Sequence, residues 1–236
     1  MVVSRSEQKN KFRRSIKPSA PLGVWLMVWL VMALLTSLVV WGLSHNPLYA
    51  SKSFWLVSRA AAISAYVMVT IIVVVGLVLS HPRNKDTWQV SKPVLPLHQA
   101  LIPVFLSLLV THLVFTILDA KSGVLPINIL LPLHAHYRPY AMLLGSVGLG
   151  LLLIVLLTAL WPGVFRSTWM KVHRMAPFIW LVVWLHGLFA GTDVIGFYYL
   201  YVFTGIMVMG LYLWRHWVRP VRAIKKNSAS GEVIRG

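Results

Sequence analysis

Long runs of apolar residues, separated by short polar stretches, dominate this chain of 236 residues. Six such runs cover residues 21–44, 60–80, 93–118, 139–165, 175–192 and 194–214. Each is close to the ~20 residues that a helix needs to cross a membrane. The pattern predicts an all-α polytopic membrane protein, with a bundle of six transmembrane helices within residues 21–215.

Lysine and arginine are distributed unequally between the two sides of this predicted bundle. Eighteen of the 22 lie in the two terminal tails and in the loops after the second and fourth spans, and four lie on the other side. The positive-inside rule therefore predicts a cell-membrane protein with basic cytoplasmic tails at residues 1–20 and 216–236. The net charge of +17 flanks apolar spans and forms no basic face, so no nucleic-acid partner is expected. The first span is too long for the apolar region of a signal peptide and is expected to be retained.

Four histidines stand in or beside the predicted spans at matched spacings. His98 and His112 are 14 residues apart in the third span, and His173 and His186 are 13 apart around the fifth. At about 1.5 Å per residue, either spacing separates two levels by roughly 20 Å of a hydrocarbon core about 30 Å thick. Since the third and fifth spans run parallel, His98 is expected level with His173 near the cytoplasm. His112 is then level with His186 nearer the outside.

This pairing favours two haems. One histidine inside a span often only hydrogen-bonds a neighbouring helix, but four at matched levels favour axial ligation of iron. Two axial histidines leave no open position at the iron, which suits electron transfer. The chain has no cysteine, so we expect two haem b groups held non-covalently. His134 and His136, an H-x-H in the loop before the fourth span, are interpreted as ordinary loop residues.

The spacing of 13 does not suit a straight helix. At 100° per residue, 13 positions miss the same helix face by roughly 140°, whereas 14 miss it by about 40°. Pro177 lies four residues after His173, and proline removes a backbone hydrogen bond and bends or re-phases a helix. We therefore expect His173 on a distorted first turn, and a similar effect of Pro103 after His98.

Two arginines on the outer side are candidate partners for the anionic carboxylates of haem. Arg59 opens the second span and Arg138 precedes the fourth. A guanidinium offers paired donors to a carboxylate, although Arg59 at a span end is also placed to reach the lipid headgroups. Asp193 is expected to cap the start of the sixth helix. The glycines of GSVGLG, which begin at Gly145, are expected to allow close helix packing.

Several motifs resemble the ferric reductase-like transmembrane domain family, whose haem core is shared by ferric reductases, NADPH oxidases and the membrane haem subunit of the periplasmic methionine sulfoxide reductase system. The resemblance covers roughly residues 53–215. It rests on SRAAAISAY in the second span, LPLHQAL and VTHLVF in the third, HYRP before the fourth, and KVHRMA and WLHGLFAGTD in the fifth.

The resemblance implies that His98 and His173 hold the inner haem iron and that His112 and His186 hold the outer one. Arg59 then falls where the oxidases place an arginine beside the outer haem. The chain differs from the oxidases because it has no nucleotide-binding fingerprint, and its tail is too short for a flavin or nicotinamide domain. It is therefore expected to bind no FAD or NAD(P).

The expected function is transmembrane electron transfer through two bis-histidine b-type haems. The donor would be a cytoplasmic flavoprotein or a membrane quinol, and the external acceptor would be ferric iron, oxygen or a periplasmic redox partner. The chain would then be a haem-bearing oxidoreductase component. Two alternatives stay open: a quinol-oxidising cytochrome b subunit, although such proteins normally have eight spans, and a haem-free transporter or helical scaffold.

Overall fold

The computed structural model describes residues 22–80, 94–161, 164–165 and 168–217, and these are almost entirely helical. No β-strand occurs among them, which confirms the predicted all-α class. The predicted tails at 1–20 and 216–236 lie outside the described residues, except that the last helix reaches residue 217. The helices are α1 (Leu22–His45), α2 (Ser53–Leu79), α3 (Val94–Leu118), α4 (Pro126–Leu130), α5 (Pro139–Leu160), α6 (Trp169–His173), α7 (Ala176–Ala190) and α8 (Tyr198–Trp217), with 3₁₀ turns at Ala50–Lys52, Ala120–Ser122 and Pro132–His134.

Within the described part of the chain, five stretches of helix are long and apolar enough to cross a membrane. They are α1, α2 with the 3₁₀ turn before it, α3, α5, and α6 together with α7. A helix satisfies its own backbone hydrogen bonds, so apolar helices of this length suit the hydrocarbon of a bilayer. These helices indicate a multi-pass membrane protein. The sixth predicted span overlaps α8, which is not among the five, so a sixth crossing stays a prediction.

Helix α2 begins earlier than the predicted span of 60–80. It starts at Ser53, so that Arg59, predicted at the outer end of this span, lies six residues after the first residue of the helix. The Arg59 guanidinium forms an ion pair with the Asp193 carboxylate, with 2.6 Å between Nη2 and Oδ2. A charge that is paired in this way is tolerated within an apolar helix. The predicted span began only at residue 60 because the sequence shows Arg59 as a charge without its partner.

The fifth span is interrupted, as the histidine spacing predicted. His173 is the last residue of α6, and α7 starts at Ala176 with Pro177 in its first turn. Pro177 has no N–H to donate to the His173 carbonyl, and the chain tightens there, with the Met175 N–H donating to the Val172 carbonyl at 2.9 Å. Because of this break, the faces of α6 and α7 are not related by the 100° per residue of one continuous helix. Pro103, by contrast, lies inside the continuous helix α3.

Two pairs of helices form the body of the bundle. α2 packs along α3, and α5 packs along α7, while α2 also contacts α7 and α8. A buried layer lies midway along the bundle, where Tyr66, Phe105 and Trp180 belong to one apolar cluster and the Trp180 indole donates to Thr70 Oγ1 at 2.8 Å. Helix α1 lies outside against α2 and α3 and has no buried residue. The histidines of α3 and of α6–α7 therefore lie on opposite halves of the bundle.

Candidate functional site

The first histidine level brings His98 and His173 together. Their ring centres are 6.0 Å apart, and the ring planes are perpendicular. With roughly 2 Å for each bond from an imidazole nitrogen to a metal and roughly 1 Å from nitrogen to ring centre, two imidazoles on opposite sides of one metal have ring centres about 6 Å apart. The separation at this level therefore fits a metal held between the two rings. The predicted pairing of His98 with His173 agrees with this geometry.

Backbone carbonyl oxygens anchor three of the four histidines through Nδ1. In each case the carbonyl belongs to a neighbouring helix, so the ring orientation is set by helix packing. The distances from Nδ1 to the carbonyl oxygen are 3.0 Å for His98 to Ile72, 3.1 Å for His112 to Ser58 and 2.7 Å for His186 to Ala141.

These contacts also decide which nitrogen is free. A carbonyl oxygen only accepts hydrogen bonds, so the Nδ1 atom facing it carries the proton and Nε2 keeps its lone pair. Among the described residues, no Nε2 atom of the four histidines takes part in a hydrogen bond. Histidines that ligate metals through Nε2 have this tautomer, and their Nδ1–H donates to a carbonyl or carboxylate in the same way.

His173 is the exception among the four. Its Nδ1 atom is buried and has no hydrogen-bond partner among the described residues. The ring packs against Trp169 of the same short helix, with 5.7 Å between ring centres. His173 is therefore held by ring packing and by the break after α6, and not by a carbonyl anchor.

The second histidine level opens onto a cavity of about 580 Å³. His112 and His186 both line it, and His98 and His173 do not. Its volume lies within the range of small-molecule and cofactor sites, about 300–1,000 Å³, and its walls are mostly apolar, as in such sites. His112 lies on the wall formed by α3, and His186 lies on the wall formed by α7. The predicted pairing of these two histidines agrees with this arrangement.

Glycines make room for the histidine rings at both levels. A Cβ atom on Gly145 would lie 2.7 Å from His186 Cε1, and one on Gly76 would lie 3.3 Å from His98 Cε1. Gly148 similarly faces Val183 at 3.1 Å, whereas Gly150 faces open space. The predicted packing role is thus confirmed for Gly145 and Gly148, and Gly145 has the more specific role of accommodating a candidate ligand.

Arg59 lines the same cavity, but its charge already has a partner. Nε donates to Asp193 Oδ2 at 2.8 Å, and the guanidinium also lies over the Trp55 ring. The side chains of Arg59 and Asp193 are 21% and 35% exposed. The predicted N-cap role of Asp193 is wrong, because α8 begins only at Tyr198 and the carboxylate faces Arg59 instead.

Arg138 lies at the end of α7 and does not line the cavity. Its Nη1 donates to the Phe189 carbonyl at 2.7 Å, and the Tyr137 hydroxyl donates to the Ala190 carbonyl at 2.7 Å. Both carbonyls are in the last turn of α7, where a helix has no further backbone donors of its own. Tyr137 and Arg138 thus tie the start of α5 to the end of α7, close to His186. A contact between Arg138 and a haem carboxylate stays a prediction.

Sequence reasoning missed two parts of this site. The anchoring carbonyls carry no side-chain signal, so only packing reveals them; Ser58 is the partial exception, since its hydroxyl lies 3.1 Å from His112 Nδ1 and it belongs to the motif SRAAAISAY. The second part is a pair of lysines on the cavity wall, Lys52 and Lys121. Lys121 Nζ donates to the Ser51 carbonyl at 3.0 Å. The count of Lys and Arg on the predicted outer side included both residues, but it did not indicate that they line one cavity.

The described residues contain no group of three or more His, Cys, Asp or Glu side chains that could hold a metal ion. Haem iron does not need such a group, because the porphyrin supplies four of its ligands and the protein only one or two. The ring separation at the His98 level, and the free Nε2 atoms and apolar cavity at the His112 level, each fit bis-histidine haem.

Comparisons with protein-family models, curated proteins and solved structures gave no match to this chain.

Proposed function

We propose that this chain carries electrons across the cell membrane by holding two haem b groups non-covalently, one at each histidine level. The donor is a cytoplasmic flavoprotein or a membrane quinol, and the acceptor on the outside is ferric iron, oxygen or a periplasmic redox partner. The chain acts as the haem-bearing component of an oxidoreductase and depends on another molecule for flavin or nicotinamide chemistry. The motifs that resemble the ferric reductase-like family support the same proposal.

One observation carries this proposal. In three of the four intramembrane histidines, Nδ1 donates a hydrogen bond to a backbone carbonyl and Nε2 has no partner. The Nδ1 contacts by themselves would also suit histidines that only join helices, but a metal ligand needs the second feature as well, an Nε2 atom that no other group occupies. Ligation of a metal by Nε2 gives that atom a partner.

The residues of each level have separate tasks in this proposal. His98 and His173 hold one haem, and His112 and His186 hold the other. Bound haem would supply reversible one-electron chemistry, and the two histidines of each level would hold it. The apolar walls of the bundle keep water away from both sites, and the carbonyl anchors keep the imidazole rings from turning.

Four cations near the His112 level are available for the carboxylates of the outer haem. Arg59 and Arg138 are the predicted partners, and Lys52 and Lys121 add two ammonium groups on the cavity wall. Among the described residues, the one ion pair joins Arg59 to Asp193. Asp119 also lines the cavity, and its carboxylate accepts from the Lys121 backbone N–H, so Lys52, Lys121 and Asp119 together leave one formal positive charge, which favours an anionic group at this end of the cavity.

The orientation of the bundle completes the proposal. α8 forms a sixth crossing, both termini are cytoplasmic, and the His112 level faces outward, as the distribution of lysine and arginine favours. With the cytoplasm negative, outward movement of an electron is favoured by about 2.3 kcal/mol per 100 mV.

The test is the haem content and the reduced-minus-oxidised spectrum of the purified full-length protein. We expect close to two b-type haems per chain with low-spin bis-histidine bands. His98→Ala and His112→Ala should each retain one haem, and the residual spectra of these two variants should differ. His134→Ala, which changes an exposed loop histidine, should retain both.

Two outcomes would overturn the proposal, and a third would narrow it to the quinol donor. A colourless protein that takes up no added haem would support a transporter or scaffold. Full haem content in His98→Ala and His112→Ala would show that these histidines are not ligands. Reduction by quinol alone, with no response to any flavoprotein donor, would leave the haem ligands in place but favour the quinol-oxidising cytochrome b.

A further inference from the structure

The loop between α3 and α5 presents a set of large aliphatic side chains to its surroundings. Residues 122–137 contain no Lys, Arg, Asp or Glu, which is unusual for a loop that joins two membrane-spanning helices. Leu130 is 77% exposed, and four further aliphatic side chains of the loop are more than half exposed. We define the apolar loop face as Leu125, Ile127, Leu130, Leu131 and Leu133.

This loop is folded and has a buried side as well. Asn128 is buried, and its Oδ1 accepts from the Leu125 N–H at 2.8 Å, which holds the short helix α4 in place. Val124 and Ile129 line the cavity that contains His112 and His186. The loop therefore covers the cavity with one side while the apolar loop face points away from it.

Along the chain, the apolar loop face links exposed apolar positions at the ends of the two helices that flank it. It lies between the end of α3, where Leu118 is half exposed, and the start of α5, where Tyr140 is largely exposed. Tyrosine at the end of a membrane-spanning helix is typical of the boundary between hydrocarbon and water. A short helix with an uncharged aliphatic face at that depth buries the face in the boundary layer of the lipids.

We propose that the apolar loop face is a lipid-binding surface that rests in the interfacial layer of the bilayer, so that the membrane holds the loop over the cavity. The occupant is lipid and not a second protein, because the face carries no charge to orient a partner and it links exposed apolar positions at the ends of α3 and α5. The inference rests on the bilayer environment of the helices and not on what the cavity binds.

The absence of cysteine makes a direct depth measurement possible, because a single introduced cysteine is the only labelling site. Leu130→Cys carries a nitroxide in the full-length protein, reconstituted as single copies in phosphatidylcholine–phosphatidylglycerol nanodiscs. Collision of the label with oxygen, which concentrates in lipid, is compared with collision with a water-soluble nickel chelate. Leu34→Cys on the lipid-exposed helix α1 is the membrane control, and His136→Cys, a polar exposed position of the same loop, is the water control.

We expect oxygen to dominate at position 130, with an oxygen-to-nickel ratio well above that at 136 and closer to that at 34. Leu125→Cys should behave like Leu130→Cys, which guards against a local effect of one label. A ratio at 130 equal to that at 136 would overturn the proposal in favour of a water-exposed loop. Protection of position 130 from both reagents would also overturn it, since the face would then be covered by protein.

Discussion

The two histidine levels share α3, but the fifth span contributes His173 from α6 and His186 from α7, and the two levels are built in different ways. At the His112 level both rings are anchored to backbone carbonyls, and both face a cavity. At the His98 level the two rings face each other at 6.0 Å, and His173 has no anchor for its buried Nδ1. The His112 level is therefore positioned by packing between whole helices, whereas at the His98 level this holds for His98 alone and His173 is positioned by a local break in the fifth span. Substitutions should separate the two levels accordingly.

The largest effect is expected from Gly145→Ala at the His112 level. The new Cβ would lie 2.7 Å from His186 Cε1 and 2.8 Å from Nδ1, and His186 cannot move without losing its bond to Ala141. Overpacking of this kind typically costs about 1–3 kcal/mol. We expect Gly145→Ala to lose the haem of this level alone, measured as haem per chain and by the residual spectrum.

Gly150→Ala is the matched control for this substitution. Gly150 lies on the same helix and has nothing within 4 Å of its Cβ position. It should therefore retain both haems. Two haems with unchanged spectra in Gly145→Ala would mean that His186 is not held as tightly as its contacts indicate.

An intermediate effect is expected from Pro177→Ala at the His98 level. Alanine restores an N–H that the His173 carbonyl can accept, so the helix is able to continue from α6 into α7. A continuous helix would turn His173 roughly 140° away from the face of His186. We expect a changed or lost low-spin signal from the haem of this level in electron paramagnetic resonance, with the other signal retained.

Pro103→Ala is the control for Pro177→Ala, because it also removes a proline but not the break after His173. Pro103 lies five residues after His98, inside a helix that is already continuous, so its replacement should leave both signals in place. If Pro177→Ala left both signals unchanged as well, the break after His173 would not determine the geometry of this level.

The smallest effect is expected at the ion pair between Arg59 and Asp193. Both side chains are partly exposed, so their coupling should be about 1 kcal/mol. A double-mutant cycle of Arg59→Gln and Asp193→Asn, followed by unfolding in mixed micelles, measures that coupling. Strictly additive changes in the free energy of unfolding would show that the pair contributes nothing.

The same two variants also compare haem retention at the two histidine levels. If Arg59 also contacts a carboxylate of the outer haem, Arg59→Gln should lower retention of that haem more than Asp193→Asn does. Haem retention at the His98 level should not change in either variant, since neither of these residues lies there.

Much of the fold was accessible from the sequence. Apolar runs of about 20 residues predicted the helices, because length and hydropathy decide what a bilayer accepts. The spacing of 13 between His173 and His186, together with Pro177, predicted the break in the fifth span, because helix periodicity and the missing proline N–H are local properties. The start of α2 was misjudged because the partner of Arg59 lies 134 residues away in the sequence.

From the sequence alone came the apolar runs, the approximate extents of most helices and the matched spacings of the four histidines. Packing between the helices sets which nitrogen of His98, His112 and His186 is free, because the anchoring carbonyls of Ile72, Ser58 and Ala141 carry no signal in their side chains. It also decided that Gly145 faces His186 and that Arg138 binds the end of α7. These contacts depend on how separate helices rotate against one another, and no local pattern along one helix records that rotation.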